Sequence, residues 1–200
     1  MATTRPERLH FTENDEADEL LAREPLALLI GFVLDQQVPV QKAFSSPLVL
    51  RSRLGGLDAH AIAPMDPAEL ARVFRERPAL HRFPGAMAAR ARELCATLAD
   101  AYDGDPERVW ADAPDAAELE RRLLDLPGIG PMKAKTLISV LAKRFGVRPP
   151  GWEEHVPGHP TLGDVDSTEA LLSYQAQKRA YKAARRAEAA ASQTESPRPH

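Results

Sequence analysis

Hydrophobic residues recur along this chain with helical spacing, and no stretch sustains the apolar–polar alternation of a half-buried strand. At Asp66 a capping residue precedes Pro67, and Glu69 follows at the third helical position, which is typical of a helix start. Similar patterns predict helices over 25–35, 39–53, 85–102, 114–125, 131–145 and 167–190. The predicted fold class is therefore all-α.

One segment interrupts this succession of helices. Residues 146–165 contain four prolines and four glycines, which exclude a regular helix. A loop of this length inside a compact domain usually has a function. We expect one helical domain over residues 1–190, followed by a polar, disordered tail over 191–200.

Composition excludes several classes of protein. The longest apolar run, residues 26–34, is too short to span a bilayer, and the charged N-terminal segment lacks a signal-peptide core. We therefore expect a cytoplasmic protein. Cys95 is the only cysteine, so neither an internal disulfide nor a four-cysteine metal or iron–sulfur site can form. Its Ala- and Leu-rich surroundings predict a buried thiol.

The most informative segment is residues 126–136, Leu-Pro-Gly-Ile-Gly-Pro-Met-Lys-Ala-Lys-Thr. Gly128 and Gly130 permit a tight turn with positive φ between two helices. Pro131 can open the second helix, where the N–H that it lacks would have no partner. The segment therefore predicts two helices joined by a short hairpin.

Such a hairpin can bind an anion. The N–H groups of Gly128, Ile129 and Gly130 can converge on one point beside a helix N-terminus. Because Lys133 and Lys135 follow, a nucleic-acid phosphate is the natural ligand, held without reading any base. The alternative is an ordinary Gly-Pro turn between two packed helices.

Charge is distributed unevenly around this hairpin. The chain carries a net charge of −3, but residues 132–190 hold ten Lys and Arg against six Asp and Glu. The basic part thus begins at the hairpin, as a phosphate-binding surface requires. Basic residues also solvate many helices, so this asymmetry gives only modest support.

Three segments in order resemble the helix-hairpin-helix DNA glycosylases, a superfamily that includes endonuclease III, adenine glycosylase and alkyl-purine glycosylases. Residues 29–37 (LIGFVLDQQ) resemble the early helix that ends beside the damaged-base pocket, residues 126–136 match the hairpin, and residues 165–167 (Val-Asp-Ser) resemble the catalytic segment. The resemblance covers roughly residues 25–190. It implies a two-lobed helical fold, a base-pocket role for Gln37 and a catalytic role for Asp166.

The chain departs from the family pattern in several ways. Met132 stands where members that also cut the strand carry a lysine, and neither Lys133 nor Lys135 inherits that position, because each helical residue rotates by about 100°. The family's iron–sulfur cysteines are absent. Asp166 lies later in the chain than family spacing implies, and Asp164 is a rival carboxylate. Asp166 also has a structural alternative, since Asp-x-x-Glu with Glu169 is a capping-box pattern.

The resemblance implies a specific chemistry. Cleaving a base from deoxyribose builds oxocarbenium-like charge on the sugar, which one carboxylate can stabilise while it orients a water. The target base must first be flipped out of the duplex. Without the family lysine we expect a monofunctional, monomeric DNA glycosylase of base excision repair, acting on double-stranded DNA with a damaged or mispaired base and needing no metal or cofactor.

Two alternatives remain open. The same scaffold could be a DNA-binding module without catalysis, or the hairpin could be structural in a helical protein–protein adaptor. Uracil, alkylated purines and mispaired adenine are all possible lesions.

Other residues of the sequence suggest weaker hypotheses. Trp110 is expected in the core, and Trp152 is a candidate for stacking on a base. Four residues of the loop have side chains that ligate metals, but in such a loop they more often lie in water: Glu153, Glu154, His155 and His159.

Overall fold

The computed structural model describes residues 5–194, and within this range the regular secondary structure is helical, with no strand. The predicted all-α class is confirmed. The helices are α1 (Asp15–Arg23), α2 (Pro25–Leu34), α3 (Val40–Leu54), α4 (Ala59–Ile62), α5 (Pro67–Arg75), α6 (Pro84–Tyr102), α7 (Ala116–Leu124), α8 (Pro131–Arg144) and α9 (Thr168–Thr194). Short 3-10 turns occur at Pro106–Val109, Trp152–His155 and Leu162–Asp164.

Local capping explains where several helices begin. The Asp66 carboxylate accepts hydrogen bonds from the backbone N–H groups of Ala68 at 3.0 Å and Glu69 at 2.9 Å, which confirms the predicted start of α5. The short helices α1 and α4, which the hydrophobic pattern did not predict, begin in the same way at Asn14 and Asp58. Side-chain caps thus mark the starts of two helices that the sequence analysis did not predict.

Helix α2 lies at the centre of the core. Its nine residues from Leu26 to Leu34 are all buried, as expected for a helix that is hydrophobic on every side. It packs against α1, α3 and α6.

Cys95 and Trp110 also lie in the core, as predicted, and burial raises the pKa of the Cys95 thiol to about 12. No helix within residues 5–194 is both long and apolar enough to cross a membrane.

The packing contacts sort the helices into two groups. Helices α1 to α6 pack among themselves, and α7, α8 and α9 assemble with the turns of the 146–165 loop. The turn at Pro106–Val109 contacts both groups, through α2 and α6 on one side and α7 on the other. The hairpin between α7 and α8 meets the C-terminal end of α2 at Val33.

The Pro- and Gly-rich loop contains no α-helix, as predicted, yet its second half is firmly packed. Thr161 is buried, and its hydroxyl donates to the Ser139 hydroxyl of α8 at 2.8 Å. A Cβ on Gly163 would lie 2.6 Å from the backbone of Ser139, so the loop backbone approaches α8 as closely as glycine allows. The loop therefore holds the start of α9 against α8.

The start of α9 differs from the prediction. The Ser167 hydroxyl accepts a hydrogen bond from the Ala170 N–H at 3.1 Å, and the helix begins at Thr168. Asp166 is exposed and makes no cap hydrogen bond in the described part of the chain, so its predicted capping role is wrong. The helix continues to Thr194, four residues beyond its predicted end at 190, and residues 195–200 of the predicted tail lie outside the described range.

The hydrogen bond from the Ala170 N–H to the Ser167 hydroxyl should contribute to stability. Ser167→Ala should lower the free energy of unfolding by about 1 kcal/mol, because it removes the cap acceptor at a helix start that packs through buried Leu171. Asp166→Ala is the control and should change stability by less than about 0.5 kcal/mol, as at other exposed sites. Urea unfolding followed by circular dichroism measures both. The reverse order of effects would restore Asp166 as the cap.

Candidate functional site

The predicted hairpin is present between α7 and α8. Gly128 has φ +85°, the left-handed conformation that favours glycine, as predicted. The Ile129 N–H donates to the Leu126 carbonyl at 3.1 Å and closes the turn. Gly130 precedes α8 with φ −93°, an ordinary value, so its predicted special backbone conformation is wrong.

The N–H groups that remain for an anion differ from the predicted set. The predicted anion contact of the Ile129 N–H is wrong, because this N–H is used in the turn and the Ile129 side chain is buried. The N–H groups of Gly128, Gly130 and Met132 find no acceptor among residues 5–194. A Cβ built on Gly130 meets nothing within 4 Å, so a ligand has open access there. The N-terminus of α8 thus offers unpaired donors at the positive end of its dipole.

Lys133 does not lie on the outer surface of the hairpin. Its amine donates to the carbonyls of Val33 at 3.3 Å and Gly128 at 3.2 Å, which joins the hairpin to the end of α2. Burial lowers the pKa of Lys133 to about 8, with Asp35 opposing the shift and Arg90 adding to it. The predicted phosphate contact of Lys133 is therefore wrong, because its amine binds backbone carbonyls of α2 and the hairpin.

Lys135 is the lysine that remains available to a phosphate at the hairpin. It is partly buried and makes no hydrogen bond or ion pair with the described part of the chain. It lies on the first turns of α8, beside the unpaired N–H groups. Lys135 therefore keeps its predicted role as a hypothesis.

A cavity of about 840 Å³ lies next to the hairpin. The end of α2, the first turns of α8, the loop at 159–162 and one face of α9 enclose it. Its lining combines aromatic, apolar, basic and acidic side chains: Phe32, Asp35, Met132, Lys133, Thr136, His159, Pro160, Thr161, Leu162, Tyr174, Gln177, Lys178 and Tyr181. The second helix of the hairpin is thus also a wall of this cavity.

Charged and aromatic groups of this cavity influence one another. Burial raises the pKa of the Tyr174 hydroxyl, the Lys178 charge opposes this shift, and Asp35 adds to it. The Lys178 amine lies 5.5 Å from the centre of the Tyr174 ring, within cation–π range. The rings of His159 and Tyr181 stack with their centroids 6.2 Å apart. The cavity therefore provides flat apolar surfaces beside both signs of charge.

The structure does not bring Gln37 and Asp166 into this lining. Gln37 is exposed, with φ +56°, just beyond the end of α2. Its neighbour Gln36 is held by Arg90, which donates to the side-chain oxygen at 2.6 Å. Asp166 is exposed beside the start of α9. Their base-pocket and catalytic roles stay predictions from the resemblance.

The rival carboxylate, Asp164, forms structural hydrogen bonds with both of its oxygens. One of its oxygens accepts from the Lys143 amine at 2.6 Å, and the other accepts from the Thr161 N–H at 2.8 Å. Burial opposes ionisation, but these hydrogen bonds and the Lys143 charge outweigh it and lower the pKa of Asp164. Asp164 therefore holds the 3-10 turn to α8.

The remaining loop candidates lie apart from one another. His155 pairs with Glu120, whereas His159 lies in the cavity wall. No group of three or more His, Cys, Asp or Glu with metal-binding geometry occurs among the described residues. Trp152 is partly buried under the Arg148 guanidinium, 5.9 Å from its ring centre, and it does not line the cavity.

Several cavity residues were missed at the level of sequence. Asp35 is the first polar residue after nine apolar ones, a signal that marks it as the end of a buried helix. Tyr174, Lys178 and Tyr181 recur at spacings of four and three, which places them on one face of α9. Nothing in the sequence shows that this face turns towards α2 and α8.

The two hairpin glycines should respond differently to substitution. Gly128→Ala should lower the free energy of unfolding by about 1–2 kcal/mol, because its Cβ would occupy a left-handed conformation and press on Val33 at 3.3 Å. Gly130→Ala should change stability by less than about 0.5 kcal/mol, since its backbone is ordinary and its surroundings are open. Urea titrations of the two variants give the comparison. Equal losses would contradict this geometry.

Comparison with protein-family models, with curated proteins and with solved structures finds no match for this chain. The family therefore stays a hypothesis based on the resemblance of three segments, and the fold is established as all-α.

Proposed function

We propose that this protein is a monofunctional DNA glycosylase of base excision repair with a helix-hairpin-helix scaffold. The observation that carries the proposal is the junction of hairpin and cavity. Unpaired N–H groups lie at the start of α8, and Met132, Lys133 and Thr136 of the same helix line a cavity of about 840 Å³. A duplex anchored at the first feature would therefore lie close to the second.

Docking would use the hairpin as a phosphate clamp. The N–H groups of Gly128, Gly130 and Met132 and the dipole of α8 attract an anion, and Lys135 adds a full positive charge. Such contacts bind any sequence and fix the register of the duplex. Recognition of the lesion is then left to the cavity.

The cavity has the properties of a base-binding site. Its volume is within the range of about 300–1,000 Å³ that is usual for small-ligand pockets. Tyr174 offers an apolar surface for a flipped base, and Thr136 and Gln177 offer hydrogen-bonding groups. Flipping costs a few kcal/mol and is easiest at damaged or mispaired bases, which supports a repair substrate.

The absence of a strand-cleaving step follows from the two residues after Pro131. Met132 cannot act as a nucleophile towards the sugar. The Lys133 amine donates hydrogen bonds to the carbonyls of Val33 and Gly128, which hold it at the end of α2. An amine held by two backbone acceptors is not free to attack the sugar, so the proposed product is an abasic site.

A second candidate is a DNA-binding module without catalysis. The position of Asp166 favours it, because the carboxylate expected from the resemblance is exposed and outside the cavity. Duplexes that each carry one lesion, treated with the protein and then with hot alkali, distinguish the candidates. Breaks at a lesion support the glycosylase; tight binding without breaks at any lesion supports the module. A third candidate, a protein–protein adaptor, requires that duplex DNA does not bind at all.

The phosphate clamp can be tested by binding. Lys135→Gln should weaken binding to any duplex and reduce the slope of log affinity against log salt by about one. Gly130→Val should also weaken binding, because the added side chain would fill the open space at the unpaired N–H groups. Fluorescence anisotropy over a salt series measures both effects.

Arg72→Gln is the matched control for these variants, since it removes one charge from exposed Arg72 on α5, away from the hairpin. It should leave affinity and salt slope unchanged. If Arg72→Gln weakens binding as much as Lys135→Gln does, the attraction is a general charge effect and the hairpin is not the anchor.

The absence of a Schiff-base intermediate is also testable. Borohydride added during turnover at pH 7 should trap no covalent protein–DNA adduct, because two backbone carbonyls hold the Lys133 amine. Efficient trapping that disappears in Lys133→Gln would show that this amine attacks the sugar, and the monofunctional assignment would then be wrong. Lys135→Gln, assayed in parallel, shows whether the effect belongs to Lys133 alone.

A further inference from the structure

Three carboxylates compete for the role of the reacting group in the proposed glycosylase. Asp164 is bound by Lys143 and Thr161, and Asp166 is exposed outside the cavity. Asp35 is the one carboxylate among the described residues that line the cavity. Of these three carboxylates, Asp35 is therefore the one that lies in the cavity wall.

The fold holds Asp35 in place by its backbone and makes no use of its side chain. The Asp35 N–H donates to the carbonyls of Gly31 at 3.0 Å and Phe32 at 3.3 Å, which ends α2. The Asp35 carboxylate has no hydrogen bond or ion pair with the side chains and backbone that the structure describes, which exclude the side chains of 182 and 185–194. It also lies at the negative end of the α2 dipole, where a negative charge is unfavourable. Stability does not explain an aspartate here.

The surroundings of Asp35 are those of a reactive site. Its charge acts on two other cavity groups, the Lys133 amine and the Tyr174 hydroxyl. Lys133 donates to the Val33 carbonyl, two residues before Asp35, so the amine and the carboxylate meet at the same end of α2. The two groups form no ion pair, but both line the cavity, and the Asp35 charge acts on the Lys133 amine.

We infer that Asp35 is the carboxylate that faces the sugar of the flipped nucleotide, in the place that the resemblance gives to Asp166. The inference rests on the proposed glycosylase function. A duplex held at the start of α8 brings its extruded nucleotide to the wall that Met132 and Lys133 share with Asp35. A carboxylate at Asp166 would need the sugar to lie outside this cavity.

The reaction at Asp35 is a hydrolysis. As the C1′–N bond breaks, the base keeps the electron pair and positive charge develops on the sugar, beside the Asp35 carboxylate. A water oxygen bonds to C1′ and passes a proton to Asp35. That proton returns to solvent, and solvent protonates the departing base. Atoms and charge balance without a further reactant.

The test compares two substitutions of equal size, Asp35→Asn and Asp166→Asn. On a lesion that the wild type excises, Asp35→Asn should reduce single-turnover base release at least about a hundredfold, with duplex affinity unchanged. Asp166→Asn should retain release within about threefold. The thermal midpoint of Asp35→Asn should equal or exceed that of the wild type, because the substitution removes a charge from the negative end of α2.

A second measurement does not depend on activity. Nitrogen-15 NMR of the lysine amines should show the pKa of Lys133 fall below its value of about 8 in Asp35→Asn and stay unchanged in Asp166→Asn, since Asp35 raises it. An active wild type whose release survives Asp35→Asn but not Asp166→Asn overturns this inference alone, as does an unchanged Lys133 pKa. A wild type that releases no base from any lesion overturns the proposed function, and the inference with it.

Discussion

The complete burial of α2 is the constraint on which the rest of the structure depends. Nine consecutive apolar residues leave this helix no solvent-facing side, so helices must pack around it. The packing is close enough that a Cβ on Gly31 would lie 2.5 Å from the Phe44 ring, which also meets Phe32 edge to face at 5.2 Å. A helix enclosed in this way has little freedom to shift, and its C-terminal end is a fixed point for the residues that follow.

The candidate site is assembled on that fixed point. Val33 contacts the hairpin through its side chain, which limits what can replace Gly128, and through its carbonyl, which accepts from Lys133. The buried amine has two acceptors, so its charge is compensated by oriented carbonyl dipoles and not left unpaired. The hairpin and the cavity therefore share one support, and under the proposed function a duplex bound at the hairpin would keep a defined position relative to the cavity.

Local sequence predicted those features that local forces determine. Asp66 caps α5 because the acceptor and the N–H groups it serves lie within three residues of one another. Ser167 and Asp166 are both good caps, and the choice between them depends on how the preceding turn packs against α8, which is a tertiary matter. The same holds for Lys133, because its long side chain points to a carbonyl a hundred residues earlier. Asp35 could be recognised as a helix end, but its cavity appears only once α2, α8 and α9 are placed.

Helix α9 is supported mainly at its N-terminal end, where it contacts the Leu162–Asp164 segment. From there it extends for 27 residues, or about 40 Å at 1.5 Å per residue. Tyr181 lies about 20 Å from the start of the helix, so a tilt of about five degrees at Thr168 would displace the Tyr181 ring by nearly 2 Å. Because Tyr174 and Tyr181 form one side of the cavity, the width of the cavity depends on the angle at which α9 leaves Thr168. The close packing of Gly163 on Ser139, just before the start of α9, restricts that angle.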